Sequence, residues 1–247
     1  MKAEKISVAK GSEKTLLLEA NCSAAYSISL AEGAKAEVVI VNAAPVDDDV
    51  EISVDVKIGK NAALKLVGCT LGGRETKSEM KIVQKTGSRC EHFEVALLSG
   101  AQRLIARTQH LHCEPRSFSR SSFRYAAAGC SQVNVQGNVE IAQKAARADA
   151  HFMAKSLLLS REARVRVVPM LSVKTGDVTA GHGAAMAPVS ADELFYLESR
   201  GIEEKAGKHM ILEGFLLESV ANAKLDRKLA GGLEKCLAQK IGVLDGF

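Results

Sequence analysis

The stretch Val50-Glu-Ile-Ser-Val-Asp-Val-Lys-Ile58 alternates apolar and polar side chains without a break. Because successive side chains of a β-strand point to opposite faces, this pattern predicts a strand with one buried and one solvated face. A second stretch, Val133–Ile141, alternates in the same way, and a β-rich run covers Val38–Val41. Residues 1–175 are therefore predicted to form one strand after another.

Turn signals recur along this region at an almost constant interval. Gly33, Gly59, Gly87 and Pro115 each precede a predicted strand, and the gaps between them are 26, 28 and 28 residues. Repeats of roughly 20–50 residues indicate stacked coils, here with two or three short strands in each coil. A β-helix or a flattened relative of it accounts for this period better than a β-sandwich does, although an accidental spacing of turns would give the same pattern.

The composition of the 247 residues is that of an ordinary globular protein, with 47% apolar and 25% charged residues and a net charge of +4. No apolar run is long enough for a membrane span, so no membrane partner is expected. The first five residues lack the apolar region of a signal peptide, which favours a cytoplasmic location. The positive charge is spread along the chain, so no nucleic-acid partner is expected.

The sequence changes character after residue 190. Ser190 and Glu193 fit a capping box that begins a short helix, and Gly201 suits the position after its end. An apolar helical face follows in 203–223, and leucines at intervals of four continue in 225–241, although Gly231 and its neighbour Gly232 weaken that helix. The predicted organisation is a β core at 1–189 and a helical domain at 190–247.

Three stretches together resemble the C-terminal signature of the SufB/SufD family, the scaffold proteins of the SUF iron–sulfur cluster assembly system. They are Pro169–Val173, Ala180-Gly-His-Gly-Ala184, and Asp192-Glu-Leu-Phe-Tyr-Leu-Glu-Ser-Arg-Gly-Ile202. The resemblance is specific from residue 157 to residue 215. It implies a mainly β fold, with a right-handed parallel β-helix core followed by a small C-terminal α-helical domain. It also implies a non-catalytic scaffold subunit that works with a SufC-type ATPase.

The resemblance implies a role for His182 at a dimer interface close to the cluster, where an imidazole is a competent iron ligand. The B-type members carry a cysteine where this chain has Ala154, and a glutamate where it has Gly183. By this resemblance the chain is SufD-like by residue type, or it is a degenerate paralogue. An iron–sulfur cluster would be bound transiently between subunits, in a homodimer or in a heterodimer with a SufB-type paralogue, and none is expected in the isolated chain.

The helical domain is the region that family members use to hold the ATPase. The candidate anchors in this chain are Ile202, Phe215 and Leu216, because an amphipathic helix can dock into a partner's groove. The alternative is that these residues form the domain's own core. No phosphate-binding loop is found, since Gly231-Gly232 is not followed by Gly-Lys-Ser/Thr.

Two histidine pairs are weaker candidates for a metal site. His110 and His112 share one strand face, and Cys90 and His92 share another, so neighbouring coils would bring the pairs together. The favoured interpretation is that these side chains are polar positions on solvent-washed strands. The irregularly spaced cysteines predict reduced thiols rather than a zinc site or a disulfide framework.

Two rival functions remain open. An RNA-binding module would use a stripe on one strand face, although a solvated outer face is the favoured interpretation; the stripe is Arg116, Phe118, Arg120, Ser122 and Arg124. A carbohydrate-active β-helix enzyme would need an acidic cluster, and usually aromatic platforms. The absence of Trp and the presence of only three Tyr residues count against that enzyme.

Overall fold

A computed structural model of the protein describes residues 2–244, in which fourteen β-strands are followed by three α-helices. The strands are β1 (Lys2–Val8), β2 (Glu13–Glu19), β3 (Ala24–Leu30), β4 (Lys35–Asn42), β5 (Asp49–Ile58), β6 (Ala63–Thr70), β7 (Glu75–Gln84), β8 (Arg89–Leu98), β9 (Arg103–His112), β10 (Phe118–Ala127), β11 (Gln132–Ile141), β12 (Ala148–Leu158), β13 (Arg164–Val173) and β14 (Val178–Pro188). The helices are α1 (Ala191–Ser199), α2 (Glu204–Ala223) and α3 (Arg227–Gly242).

The strands form two parallel sheets of seven strands each. The odd sheet has the order β1-β3-β5-β7-β9-β11-β13, and the even sheet has the order β14-β12-β10-β8-β6-β4-β2. The chain crosses between the sheets after every strand, so that each coil adds one strand to each sheet. Consecutive register partners in the odd sheet lie 22 residues apart (Lys2 and Ala24) to 32 residues apart (Gln132 and Arg164). The predicted fold class, a parallel β-helix followed by a small helical part, is confirmed.

The interior of the β-helix is built by the inward-facing side chains of both sheets. The alternating stretch of the sequence forms β5, and its five apolar side chains are all buried. Two apolar clusters fill the interior, one in the first coils and one in the last coils. They meet near β8, where Cys90 belongs to the first cluster and Ala96 to the second.

The helices cover the outer face of the even sheet. A third apolar cluster joins Leu212 and Leu216 of α2 and Leu233 of α3 to strand residues such as Val67 and Phe93. Burial of this extent makes the contact between helices and sheet a second hydrophobic core. Glycines at 231 and 232 do not interrupt α3, because Leu229, Leu233, Leu237 and Ile241 anchor one face of the helix.

The predicted boundary between the two parts coincides with the change from β14, which ends at Pro188, to α1, which begins at Ala191. The Ser190 hydroxyl accepts a hydrogen bond from the Glu193 amide at 3.2 Å, as the capping box predicts. Whether the β core and the helices are separate domains stays a prediction. The outermost residues of the two predicted ranges, Met1 and 245–247, lie outside the described residues.

None of the helices between residues 2 and 244 has the length and apolarity that crossing a bilayer requires.

Candidate functional site

The two ends of the β-helix differ in how well their inward-facing side chains are covered. In the first coil, Ile6, Val8 and Leu18 are buried. In the last coil, formed by β13 and β14 and called here the C-terminal edge, the inward-facing Val173 and Met186 are exposed. The C-terminal edge is therefore an apolar surface that the described part of the chain leaves uncovered.

His182 lies at this uncovered edge. It belongs to β14, the outermost strand of the even sheet, and its side chain is exposed. His182 is the register partner of Phe152, which is aligned in turn with Ser121 and His92 on the preceding strands. Its side chain therefore points to the same face as these interior residues. Its place at the end of the stack, rather than its direction, leaves the imidazole accessible. Its predicted role as an interface or iron ligand stays a prediction.

The backbone of β14 is the part of the edge best suited to pair with another strand. As the outermost strand of its sheet, β14 has a neighbour, β12, on one side only. Small residues such as Gly181, Gly183 and Ala184 make up much of β14, so its side chains offer little steric hindrance to a partner strand. The corresponding strand of the odd sheet, β13, carries Pro169, which has no N–H to donate and blunts pairing there.

Ala154 takes the place where the resemblance implies a cysteine in B-type members. Its side chain is fully buried in the interior, between Phe123 and Ala184 in the register of the even sheet. This chain therefore has a methyl group, and no thiolate, at this position of β12, the strand next to β14.

The interior histidines contradict the favoured interpretation from the sequence. His92, His110 and His112 are fully buried, so the prediction of solvent-washed positions was wrong. The hydroxyls of Ser117 and Ser119 lie 2.8 Å from the two ring nitrogens of His112. Burial lowers the pKa of His112 to about 4, and burial followed by the neighbouring His92 and His112 lowers the pKa of His110 well below 6.5. These rings are therefore neutral at pH 7.

The two histidine-bearing strands do come together, as the metal-site alternative requires. Nδ1 of His92 lies 3.2 Å from Nε2 of His110, and Nε2 of His92 lies 2.8 Å from Oε1 of Glu94. Cys90 shares this interior face, and burial raises the pKa of its thiol. No group of three or more His, Cys, Asp or Glu side chains within residues 2–244 is arranged around a single metal position.

The basic stripe that favoured RNA binding is broken in the structure. Arg116 lies in the turn before β10, and Arg124 is buried beneath α2, where Nη2 contacts Oε1 of Glu218 at 2.6 Å and the guanidinium stacks on Phe215. For Arg124 the solvated outer face was the wrong interpretation. Arg116 and Arg120 are both exposed, but only Arg120 lies on the face of β10, so an RNA-binding role has little support.

The predicted partner anchors divide into three environments. Leu216 is fully buried in the core between α2 and the even sheet, Phe215 is partly buried beside it, and Ile202 is half-exposed. Leu216 therefore fits the alternative in which such residues form the domain's own core. Its spacing of four residues from Leu212 and Val220 on one helix face is the sequence signal for this burial.

Another apolar surface of the helices was missed by the sequence reasoning. Phe195 is 72% exposed, and Tyr196 and Met210 are also exposed, although all three are large apolar side chains. We call these three residues the helix patch. Asp192 and Glu193 lie beside it in the first turn of α1, which has no buried residue. The sequence gives no clear signal for this exposure, because neighbouring apolar residues of a helix, such as Phe215 and Leu216, can pack in one core.

Comparisons with known proteins agree on one family. The model of the SUF system FeS cluster assembly, SufBD core domain, matches residues 2–215. An iron–sulfur cluster assembly SufBD family protein of Synechocystis sp. is 25% identical over 181 residues, which are 73% of this chain and 40% of that protein. A SufBD family protein of Mycobacterium leprae is 26% identical over 245 residues, which are 93% of this chain and 62% of that protein.

A third relative is the iron–sulfur cluster assembly protein SufD of Plasmodium falciparum. It is 25% identical over 167 residues, which are 67% of this chain and 11% of that protein. The chain thus spans less than two thirds of the length of each of these three curated relatives.

Proposed function

Since the chain belongs to the SufBD family of the SUF iron–sulfur cluster assembly system, we propose that it is a non-catalytic scaffold subunit of that assembly. The observation that carries this proposal is the C-terminal edge, where an exposed histidine and exposed apolar side chains end the even sheet. A scaffold needs such a surface, because a cluster that is to be passed on must be bound at an accessible place.

The first part of the proposal is association through the C-terminal edge. Pairing of β14 with the β14 of a second subunit would continue the even sheet and satisfy the backbone groups on its open side. The contact would also cover Val173 and Met186. A second copy of this chain is the simplest partner, and a SufB-type paralogue is the alternative.

The second part of the proposal concerns the cluster, which is the cargo of the scaffold. His182 would supply one imidazole ligand at the interface, and the second subunit would supply the others. Because Ala154 provides no thiolate, a heterodimer would place a sulfur-carrying residue on the paralogue.

The third part of the proposal is that a SufC-type ATPase docks on the helix patch. Its aromatic and methionine side chains are the kind that dominate protein interfaces, and the acidic residues Asp192 and Glu193 favour a basic rim on the partner. Because α2 and α3 are packed on the even sheet, a motion of the docked ATPase would act directly on the β-helix.

The dimer is tested by placing a charge on the C-terminal edge. Ala184→Arg puts an unpaired cation on β14 and is expected to convert a dimer into a monomer, as measured by light scattering after gel filtration. Thr15→Arg is the matched control, because Thr15 is an exposed residue of β2 at the opposite edge of the same sheet. An unchanged mass for Ala184→Arg contradicts this association, and a monomeric wild type rules out the homodimer and leaves the paralogue as the partner.

The role of His182 is tested separately by cluster reconstitution with ferrous iron and sulfide. His182→Ala is expected to leave the mass unchanged and to lower the cluster absorbance per dimer. An unchanged cluster yield removes the proposed role of this residue.

A further inference from the structure

Strand β9 lies well inside the odd sheet but buries little apolar surface. Of its five inward-facing residues only Leu104 is a buried apolar side chain, and three others, Thr108, His110 and His112, are buried and polar. Strand β5, two strands away in the same sheet, buries five apolar side chains. A segment with few buried apolar contacts is the part of a fold that opens most easily.

The outer face of β9 adds little to this weak packing. Its outward-facing side chains Arg103, Ile105 and Arg107 are exposed to solvent. Across the interior, the even sheet is covered, because Phe93 and Val95 of β8 belong to the apolar cluster that the helices complete. The wall of the β-helix is therefore weaker at β9 than at β8.

Two histidines connect β9 to the opposite sheet. Nε2 of His110 lies 3.2 Å from Nδ1 of His92 and 3.1 Å from the hydroxyl of Ser121, and both ring nitrogens of His112 lie 2.8 Å from serine hydroxyls. These contacts stand where β5 has apolar packing. The net contribution of such a hydrogen bond to stability is smaller than that of a buried valine or leucine.

Neither ring is prepared for a positive charge. Nδ1 of His110 is buried and has no hydrogen-bond partner among the described residues, whereas an imidazolium has to donate from both nitrogens. Burial, followed by the neighbouring His92 and His112, lowers the pKa of His110 well below 6.5. Burial also lowers the pKa of His112 to about 4, although Asp149 opposes this shift.

The other groups around the two rings do not compensate a proton on them. Glu94 of β8 contacts His92 rather than a ring of β9. Burial raises the pKa of the Cys90 thiol, which keeps it protonated. The register neighbours of the two rings within the odd sheet are uncharged; they are Ile82, Gln84, Val139 and Ile141.

We propose that β9 is an acid-operated gate in the wall of the β-helix. Protons that bind to His110 and His112 release this strand from the odd sheet, while the apolar clusters of the first and last coils stay folded. Each ring binds a proton more readily in the open strand than in the closed one. The gate is therefore closed above pH 6.5, and it opens as the pH falls towards 4, which admits water to the interior.

The test is hydrogen–deuterium exchange of the full chain at pH 7.5 and at pH 4.5, read for each strand by mass spectrometry and corrected for the intrinsic exchange rate. The protection of β9 is expected to fall by at least about 70-fold, the change that His112 alone supplies when its pKa is 6.5 in the open strand and about 4 in the closed one. The protection of β5 is expected to stay unchanged.

Two variants connect the effect to the interior rings. His112→Asn is expected to reduce the fall in β9 protection by about the same factor of 70, because it removes one of the two titrating groups. His151→Asn is the matched control and is expected to behave as the wild type does, since His151 lies on the outer face of β12 with a side chain that is 43% exposed.

Three results overturn the proposal: full protection of β9 at pH 4.5, an equal loss in β5, or the whole wild-type loss in His112→Asn. If His112→Asn does not fold, cleavage of the wild type by pepsin at pH 4.5 decides instead. The first cut within a strand must then fall in β9, and a first cut in another strand refutes the gate.

Discussion

The first and last coils of the β-helix are built from similar strands, but only the first is covered. Opposite Ile6 and Val8 of β1, strand β2 supplies Leu16 and Leu18. Opposite the valines of β13, the middle of strand β14 supplies only small residues and His182, and its one large apolar side chain there, Met186, is exposed. The side chains that the second strand of each coil contributes therefore decide whether that end is core or surface. The same difference separates the buried imidazole of His92 from the exposed imidazole of His182, which occupy one row of the even sheet.

The largest expected contrast is in the dependence of stability on pH. The pKa of His112 is 6.5 when the ring is free and about 4 in the folded chain, so the unfolded chain binds more protons between these values. The stabilisation is complete above pH 6.5 and is lost as the pH falls towards 4, by about 3 kcal/mol for this residue. Urea unfolding at a series of pH values measures it.

Two variants separate the interior from the edge in this experiment. His112→Asn should flatten the dependence between pH 6.5 and 4, because it removes the titrating ring. His182→Ala should keep the full slope, because His182 lies at the exposed C-terminal edge and does not contact the interior histidines. A slope that depends on His182 would contradict the assignment of the pH effect to the interior.

Two glycines give the second contrast. A methyl group at Gly137 would overlap the ring of Phe152 in the interior, whereas at Gly183 it would meet the flexible end of Met153 at 2.9 Å. Gly137→Ala should lower the free energy of unfolding by about 1–3 kcal/mol, and Gly183→Ala should change it by less than about 0.5 kcal/mol. Equal effects in denaturant titrations would show that the C-terminal edge is as tightly packed as the interior.

The smallest contrast comes from one substitution made at both ends. Val8→Ala removes two buried methyl groups of the first coil and should cost about 1.6 kcal/mol, since Val8 is 4% exposed. Val173→Ala should cost less than about 0.5 kcal/mol in the monomer, because Val173 is 42% exposed. A cost for Val173→Ala that grows with protein concentration would show that this side chain becomes buried in a dimer.

The sequence predicts the fold where one physical pattern dominates. In β5, polar and apolar residues alternate over the whole strand, so its buried face was predicted correctly. Gly33 and Gly87 adopt positive φ, which agrees with the prediction that each forms a turn before a strand. The capping box at Ser190 likewise fixed the start of α1, because a cap depends only on residues close in sequence.

The sequence was insufficient where a strand is buried on both faces. Outward-facing Phe93, Val95 and Leu97 of β8 pack against the helices, while His92 and Glu94 point to the interior. Alternation cannot show which face of such a strand is inside, so His92 was assigned to the wrong side. The helix patch was missed for a related reason, since exposure of Phe195 depends on which helices are packed on the even sheet.

Pro169 and the strand opposite it have a consequence for the size of any assembly. A solenoid that can add strands at both ends stacks head to tail into filaments. Here β14 can pair, while the proline interrupts its counterpart β13. Two copies that pair through β14 leave neither of them with a free β14 edge. In the proposed dimer, self-association through β14 would therefore stop at two subunits.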